Sequence, residues 1–213
     1  MEIGNSRDTL PATPRQKSPW MKHIISGSSD IAKLLQPETS LEKELLRTPE
    51  FQQGLMWGEP RFGHPEGKVV LHVREILDNI ERLPISSKNR EQLRLIAFVH
   101  DTFKYMEPKD TPRRREQHHA VLARQFIEHY SDDPVVLKVT ELHDEAFYIW
   151  RRQFLRNQAE LAQKQLPEML NQVDGMLDMY YYFFRCDTMT GDKLQSPLHW
   201  FQGIVKKNGV DPF

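Results

Sequence analysis

SKNREQLRLIAFVHDTFK, residues 87–104, is the stretch that decides the fold class of this chain. Its apolar residues recur at intervals of three and four, so that one face of a helix carries Leu93, Ile96, Ala97 and His100. A histidine therefore lies on the face that a helix buries against the rest of the protein. We predict a helix over about 87–104 that packs through this face.

The same helical spacing recurs along the rest of the chain, and no stretch alternates as a half-buried strand would. Upstream, His72 lies on the apolar face of a helix predicted over about 68–83. Two short helices are predicted to begin at Thr39 and at Thr48. Three further helices are predicted, one that runs up to about Tyr130, one from Asp133 to about Trp150, and one over about 168–187. A polar, helix-forming stretch reaches Leu166. The sequence therefore predicts an all-α protein.

Length and composition fit one domain. A chain of 213 residues has room for one core, so we predict a flexible tail over residues 1–25, which have no apolar period, and a single helical domain over 26–213. No segment approaches the roughly 20 apolar residues of a membrane span, and the N-terminus lacks the pattern of a secretory signal. The single cysteine, Cys186, excludes a disulfide framework and fits a reducing compartment, so a cytoplasmic location is expected by default.

Charge and histidine content narrow the class of ligand. The 29 basic and 30 acidic residues give a net charge of −1, so no sequence-wide attraction to nucleic acid is expected and a small-molecule partner is favoured. Histidine is unevenly distributed, because seven of the nine lie between positions 64 and 143. Clustered histidines and aspartates are typical of metal sites.

Four predicted helices place a histidine on their inward face, and one of these histidines is followed by an aspartate. A fifth predicted helix ends in a second aspartate. The set is His72, His100, Asp101, His119, His143 and Asp187. A single buried imidazole is more often a structural residue than a ligand. Several polar groups in one core would each cost about 1–3 kcal/mol if left without partners. A divalent ion satisfies imidazole nitrogen and carboxylate oxygen together, so this set predicts a metal site.

The segment VHDTFK, residues 99–104, resembles the motif that gives the HD superfamily of metal-dependent phosphohydrolases its name. The resemblance covers residues from about 60 to 195, and the chain is similar to the H…HD…D signature of that superfamily in the order His72, His100, Asp101 and Asp187. Phe103 is a departure, because many relatives have glycine there. The resemblance implies an all-α HD-domain helical bundle with a divalent metal at its centre.

That resemblance also implies roles for individual residues. A first metal would be bound by His72, His100, Asp101 and Asp187, and Asp101 would bridge to a second metal held by His119 and His143. Lys104, one helical turn after His100, would contact a phosphate group. The metal is left open among Mn, Fe, Co, Ni, Mg and Zn. The number of ions, one or two, and the choice between His118 and His119 as ligand are left open as well.

Further candidates come from the residues around this set. The loop over residues 61–67 could cover the site, with Arg61, His64 and Glu66 contacting substrate, or it could be a structural turn set by its proline and glycine. Asp144 could act in general acid–base catalysis together with Asp101 and Lys104, or it could be an ordinary residue of a helix surface.

The expected function is hydrolysis of a phosphomonoester or phosphoanhydride, of a nucleotide or a related small molecule, by metal-activated water. Two alternatives stay open. One is a metal- and nucleotide-binding regulatory module without turnover, and the other is a phosphodiesterase, including one that acts on RNA. The near-neutral charge weakens the RNA interpretation. The substrate itself and the oligomeric state are not predicted.

Overall fold

The computed structural model describes residues 27–108 and 114–212. Within these ranges the chain forms eleven α-helices, which are α1 (Ser28–Leu35), α2 (Ser40–Leu45), α3 (Pro49–Leu55), α4 (Val69–Ile80), α5 (Ser87–Val99), α6 (His119–Ile127), α7 (Pro134–Leu142), α8 (Glu145–Phe154), α9 (Ala159–Gln172), α10 (Leu177–Thr188) and α11 (Ser196–Lys207). The described residues also include two short 3-10 turns, Lys104–Met106 and Arg115–Gln117, and an isolated bridge between Arg61 and His64. The all-α prediction is confirmed for this part of the chain, whereas the tail predicted over residues 1–25 lies outside the described residues. None of the described helices is long and apolar enough to cross a membrane.

The centre of the bundle is built from α4, α5, α7 and α10. Helix α10 packs against the other three, and α5 packs against both α4 and α7. The aromatic run Tyr180–Phe184 of α10 is buried within the hydrophobic core. These helices and their ends therefore bring His72, His100, His143 and Asp187 into one interior.

Some predicted helices end earlier than the sequence indicates. The helix predicted over 87–104 ends at Val99, and residues 100–103 form a turn. The prediction of one helix over 168–187 is wrong, because α9 ends at Gln172 and α10 begins at Leu177. Between them Gly175 has a φ of +72°, in the left-handed region that favours glycine. Helices α1 and α11 have no counterpart among the predicted elements.

The helix predicted over about 133–150 is also divided, into α7 and α8, and a tertiary contact is the cause. In a continuous helix the Ala146 N–H would donate to the Leu142 carbonyl. Here the Tyr180 hydroxyl lies between them, donating to the Leu142 carbonyl (2.9 Å) and accepting from the Ala146 N–H (3.1 Å). A side chain inserted between helical hydrogen-bond partners bends a helix. The chain therefore turns at residues 143–144.

Candidate metal centre

Six side chains converge where α4, α5, α6, α7 and α10 meet. His72 lies in α4, His100 and Asp101 follow α5, His119 begins α6, His143 follows α7, and Asp187 lies in the last turn of α10. The four imidazoles are buried, and His72 is only 2% exposed. The structure thus brings together all six residues that the sequence analysis selected as candidate metal ligands.

The first ligand group consists of His72, His100, Asp101 and Asp187. Within it, one oxygen of Asp101 faces the two imidazoles. Asp101 Oδ2 lies 3.5 Å from His100 Nε2 and 3.8 Å from His72 Nε2. Asp187 Oδ1 lies 2.8 Å from His72 Nε2 and 3.9 Å from His100 Nε2. Ligand atoms around a metal with bonds of about 2.1 Å lie roughly 3.0–3.4 Å apart. These four side chains can therefore close around one ion.

The second ligand group consists of Asp101, His119 and His143. Within it, the other oxygen of Asp101 faces the two imidazoles. Asp101 Oδ1 lies 3.2 Å from His119 Nε2 and 3.5 Å from His143 Nε2, and the two imidazole nitrogens lie 3.3 Å apart. The ligand atoms of this group fall within 4.8 Å of one another, as do those of His72, His100 and Asp101. A carboxylate between two imidazole groups is an arrangement that two divalent ions can share.

The hydrogen bonds of these imidazoles leave Nε2 as the nitrogen for a metal. His100 Nδ1 lies 3.0 Å from the Ala97 carbonyl and His143 Nδ1 lies 2.9 Å from the Thr140 carbonyl, so Nδ1 is the donor in both rings. His100 Nε2 is among the buried atoms that have no hydrogen-bond partner within the described residues. Such atoms are costly in a core unless a ligand satisfies them, so the donor set fits a divalent metal.

Two carboxylates lie at the Nδ1 side of imidazoles in the centre. Glu107 Oε1 accepts from His119 Nδ1 (2.6 Å) and from the His119 backbone N–H (2.8 Å). Glu66 Oε1 lies 3.3 Å from His72 Nδ1 and 3.0 Å from His64 Nδ1. A carboxylate in this position orients a metal-binding imidazole and raises its basicity. The Glu66 side chain is buried beside the rings and does not line the main cavity, and its predicted contact with substrate stays a prediction.

His118 uses both ring nitrogens in hydrogen bonds to groups outside the two ligand groups. Its Nδ1 accepts the Ala120 N–H (3.3 Å) at the start of α6, so its Nε2 is the protonated nitrogen. This Nε2 donates to the Tyr148 hydroxyl (3.0 Å), which donates to Asp144 Oδ2 (3.1 Å). Burial lowers the pKa of His118 to about 4, which keeps the ring neutral. Of the two adjacent histidines, His119 is the one whose Nε2 faces Asp101.

Burial and neighbouring charges shift the pKa values of several groups in the centre. Burial disfavours ionisation of Asp101, yet the charges of His100 and Lys104 hold its pKa well below the usual range. Burial also disfavours the charged form of His143, but the Asp144 carboxylate raises the pKa of this imidazole to about 9. The Asp101 carboxylate therefore stays ionised next to the His143 imidazole, whereas burial lowers the pKa of the His100 imidazole to about 3.

Two lysines form ion pairs with carboxylates of the candidate ligand set. The Lys104 ammonium pairs with Asp101, and Lys193 Nζ lies 2.6 Å from Asp187 Oδ1. Burial opposes ionisation of Asp187, but the Lys193 charge holds the pKa of this carboxyl well below its usual range. Lys193 was not among the predicted candidates, because it follows α10 in a loop where no periodic pattern indicates an inward side chain.

A cavity of about 410 Å³ opens beside the centre. The predicted catalytic and substrate-binding residues that line it are Arg61, His64, Asp101, Lys104 and Asp144. Lining residues that the sequence analysis missed include Phe62, Phe147, Arg151, Lys193 and Leu194. The cavity therefore offers both positive charge and apolar surface to a ligand.

The loop at this cavity is a tight turn. Arg61 and His64 exchange backbone hydrogen bonds of 3.0 and 2.9 Å, and Gly63 takes a φ of +83°. The Gly63 N–H donates to Asp192 Oδ1 (2.6 Å), which ties the turn to the segment after α10. Phe62, at the tip, is 62% exposed. The loop is thus both a structural turn and part of the cavity wall, so the two readings of its sequence are compatible.

Comparison with known proteins identifies a family. A family model described as HD domain matches residues 61–170, which is just over half of the chain. No curated protein and no solved structure matches the chain. The matched range ends before Asp187, which the structure brings to His72 from α10.

Proposed function

Because the chain belongs to the HD-domain superfamily of metal-dependent phosphohydrolases, we propose that it hydrolyses a phosphomonoester or phosphoanhydride of a nucleotide or a related small molecule. The observation that supports this most directly is the position of Asp101 between two imidazole groups, next to a cavity lined by Lys104 and Lys193. Donors for divalent cations and a cavity for an anionic ester are thereby adjacent.

The metal ligands follow from the two groups around Asp101. A first ion would be bound by His72, His100, Asp101 and Asp187, and a second by Asp101, His119 and His143. Divalent ions at such a centre lower the pKa of bound water and polarise a phosphate group. Glu107 keeps the His119 imidazole in orientation from the Nδ1 side, and the Glu66 carboxylate lies 3.3 Å from His72 Nδ1.

The cations of the chain bind and orient the phosphate group. Lys104 and Lys193 each pair with a ligand carboxylate and also line the cavity, so an ester oxygen that enters the centre meets both ammonium groups. Arg61 lines the same cavity, and a guanidinium can hold a phosphate through two parallel hydrogen bonds. Positive charge directed at the phosphate is the main requirement of phosphoryl transfer.

Asp144 orients the attacking water in this proposal. Burial opposes its ionisation, but the charge of His143 lowers the pKa of Asp144 to about 2, so it is a hydrogen-bond acceptor throughout the physiological range. The Tyr148 hydroxyl holds one of its oxygens, and the side chain lines the cavity. Phe62 and Phe147 supply the apolar surface that contacts the part of the substrate that does not react.

Elemental analysis of the purified protein, combined with metal-dependent phosphate release from nucleotides and generic phosphoesters, tests the proposal. We expect one or two equivalents of a divalent metal and release that requires it. Asp101→Ala removes the carboxylate shared by both ligand groups, so hydrolysis should fall by at least about 100-fold with loss of bound metal. The circular dichroism spectrum should stay helical, since the helices keep their apolar contacts.

Asp174→Ala is the matched control, because this carboxylate is exposed in the loop between α9 and α10. It should retain both metal and activity. An Asp101→Ala protein with full activity would refute the assignment of the site. Metal bound by the wild type without turnover of any substrate would favour the regulatory binding module.

A further inference from the structure

His143 and Asp144 are neighbours in the chain, yet both side chains lie close to His119 of the second ligand group. His143 Nε2 lies 3.3 Å and Asp144 Oδ2 lies 3.4 Å from His119 Nε2, and these two groups lie 3.7 Å from each other. In a regular helix, successive side chains point about 100° apart and do not face each other. Their convergence therefore depends on the bend between α7 and α8.

The bend in turn depends on one hydroxyl group. Tyr180 is fully buried in α10, and its ring packs against Phe201 with 5.6 Å between ring centroids. Burial raises the pKa of this phenol, so the hydroxyl keeps its proton and donates it to the Leu142 carbonyl. The oxygen accepts the Ala146 N–H. The hydroxyl thus binds the two backbone groups that a continuous helix would pair directly.

We infer that Tyr180 is a positioning residue of the proposed metal centre. Its hydroxyl holds the bend between α7 and α8 open, and the bend presents His143 and Asp144 together to the second ligand group and the cavity. The inference rests on the proposed function for the role of these two side chains. The hydrogen bonds of Tyr180 are observed independently of that function.

Removal of the hydroxyl alone separates positioning from folding. In Tyr180→Phe the ring still packs against Phe201, and the Ala146 N–H can donate directly to the Leu142 carbonyl, so neither backbone group is left unpaired. The helix then closes past residues 143–144 and turns their side chains out of register with the second ligand group. The first ligand group contains no residue from this bend, so it stays intact.

The test is a titration of the metal-free protein with Mn²⁺, followed by the electron paramagnetic resonance signal of the unbound ion, together with a crystal structure of Tyr180→Phe. The wild type should bind two ions. Tyr180→Phe should bind one with unchanged affinity and the other about 10- to 100-fold more weakly. Tyr181→Phe removes a hydroxyl from the next buried residue of α10 and should match the wild type.

Three results would overturn the inference. Two ions bound by Tyr180→Phe with wild-type affinities would do so, and so would a crystal structure in which its bend is unchanged. Failure of this variant to fold would contradict it as well, because the direct bond is expected to replace the hydroxyl. If the wild type binds no Mn²⁺, the centre does not take this ion, and the elemental analysis described above decides the proposed function separately. The crystal structure then decides the inference, and a direct bond between Ala146 and Leu142 supports it.

Discussion

Lys193 Nζ lies 2.6 Å from Asp187 Oδ1 and also lines the cavity, so one ammonium group faces both a candidate metal ligand and the proposed substrate cavity. Its charge opposes the binding of a cation by Asp187, whereas it attracts an anionic ester to the same place. Metal affinity and substrate affinity should therefore respond to this residue in opposite directions.

Replacement of Lys193 by methionine tests this opposition. Lys193→Met keeps most of the side-chain volume and removes the charge, so affinity for the first metal ion should rise by roughly 1 kcal/mol. The KM for a phosphoester should rise about tenfold, because one charged hydrogen-bond donor is lost. Metal titration and steady-state kinetics measure the two effects separately.

Lys206→Met, at the exposed end of α11, is the control and should change neither quantity. If Lys193→Met weakened metal binding, Lys193 would be supporting the fold of the centre and not competing with the metal for Asp187.

The candidate ligands could be predicted from the sequence because the histidines lie on apolar helical stripes. His72, for example, follows Val69 by three residues and precedes Ile76 by four. Glu107 and Lys193 lie in loops, where no period indicates which side chains point inward. Their contacts with ligand residues depend on how the loops pack, and a single sequence does not contain that information.

Among the helices, α3 lies directly against the turn that follows α5. A Cβ on Gly54 of α3 would overlap the Thr102 carbonyl and lie 2.7 Å from Thr102 Cγ2. The Thr102 hydroxyl donates to the Phe98 carbonyl (2.7 Å), which fixes the turn on its other side. Helix α3 therefore supports the turn from which His100 and Asp101 project.

A methyl group at this contact should disturb both stability and metal binding. Gly54→Ala forces α3 away from Thr102, so the free energy of unfolding of the metal-free protein should fall by about 1–3 kcal/mol. Urea denaturation measures this change, and metal titration measures the accompanying loss of affinity.

Gly203→Ala in α11 is the matched control, because a Cβ there meets no atom within 4 Å. It should raise the free energy of unfolding by about 0.5–1 kcal/mol through helix propensity. If Gly54→Ala stabilised the protein in the same way, the close contact between α3 and the turn would be wrong.

The bend between α7 and α8 illustrates why helices were easier to predict than their ends. Val139, His143 and Ala146 continue one apolar stripe with helical spacing, so the local sequence favours a single helix. The hydroxyl that divides it belongs to Tyr180, 34 residues beyond Ala146. A tertiary contact of this kind overrides local propensity and lies outside any local stretch of sequence.

At the scale of the whole molecule, Arg94 joins the N-terminal helices to the centre. This side chain of α5 is 1% exposed, its Nε donates to Glu42 Oε1 (2.9 Å), and its Nη2 donates to the Gln36 carbonyl (3.1 Å). Glu42 also forms a capping box with Thr39 at the start of α2. Helices α1 and α2 precede the range matched by the family model. Through the Arg94 contact they pack against α5, which lies within that range.

Loss of Arg94 should destabilise the entire described chain. Arg94→Met removes the cation that pairs with the buried Glu42 carboxylate, so the free energy of unfolding should fall by about 3–5 kcal/mol. Urea transitions followed by circular dichroism and by tryptophan fluorescence should coincide, as expected for the single domain predicted over residues 26–213.

Arg90→Met is the control, because Arg90 pairs with Glu38 and Glu81 at the surface, where ion pairs contribute less than about 1 kcal/mol. An equally small effect of Arg94→Met, or two separate transitions in the wild type, would mean that the N-terminal helices do not unfold with the rest.

Without metal, the carboxylates of Asp101 and Asp187 would still have cationic partners, because Lys104 and Lys193 lie beside them. Each ammonium group neutralises a buried negative charge that would otherwise repel its neighbours and loosen the bundle. The metal-free protein should therefore stay folded. If the centre binds metal as proposed, this folded protein would take up metal again without synthesis of a new chain.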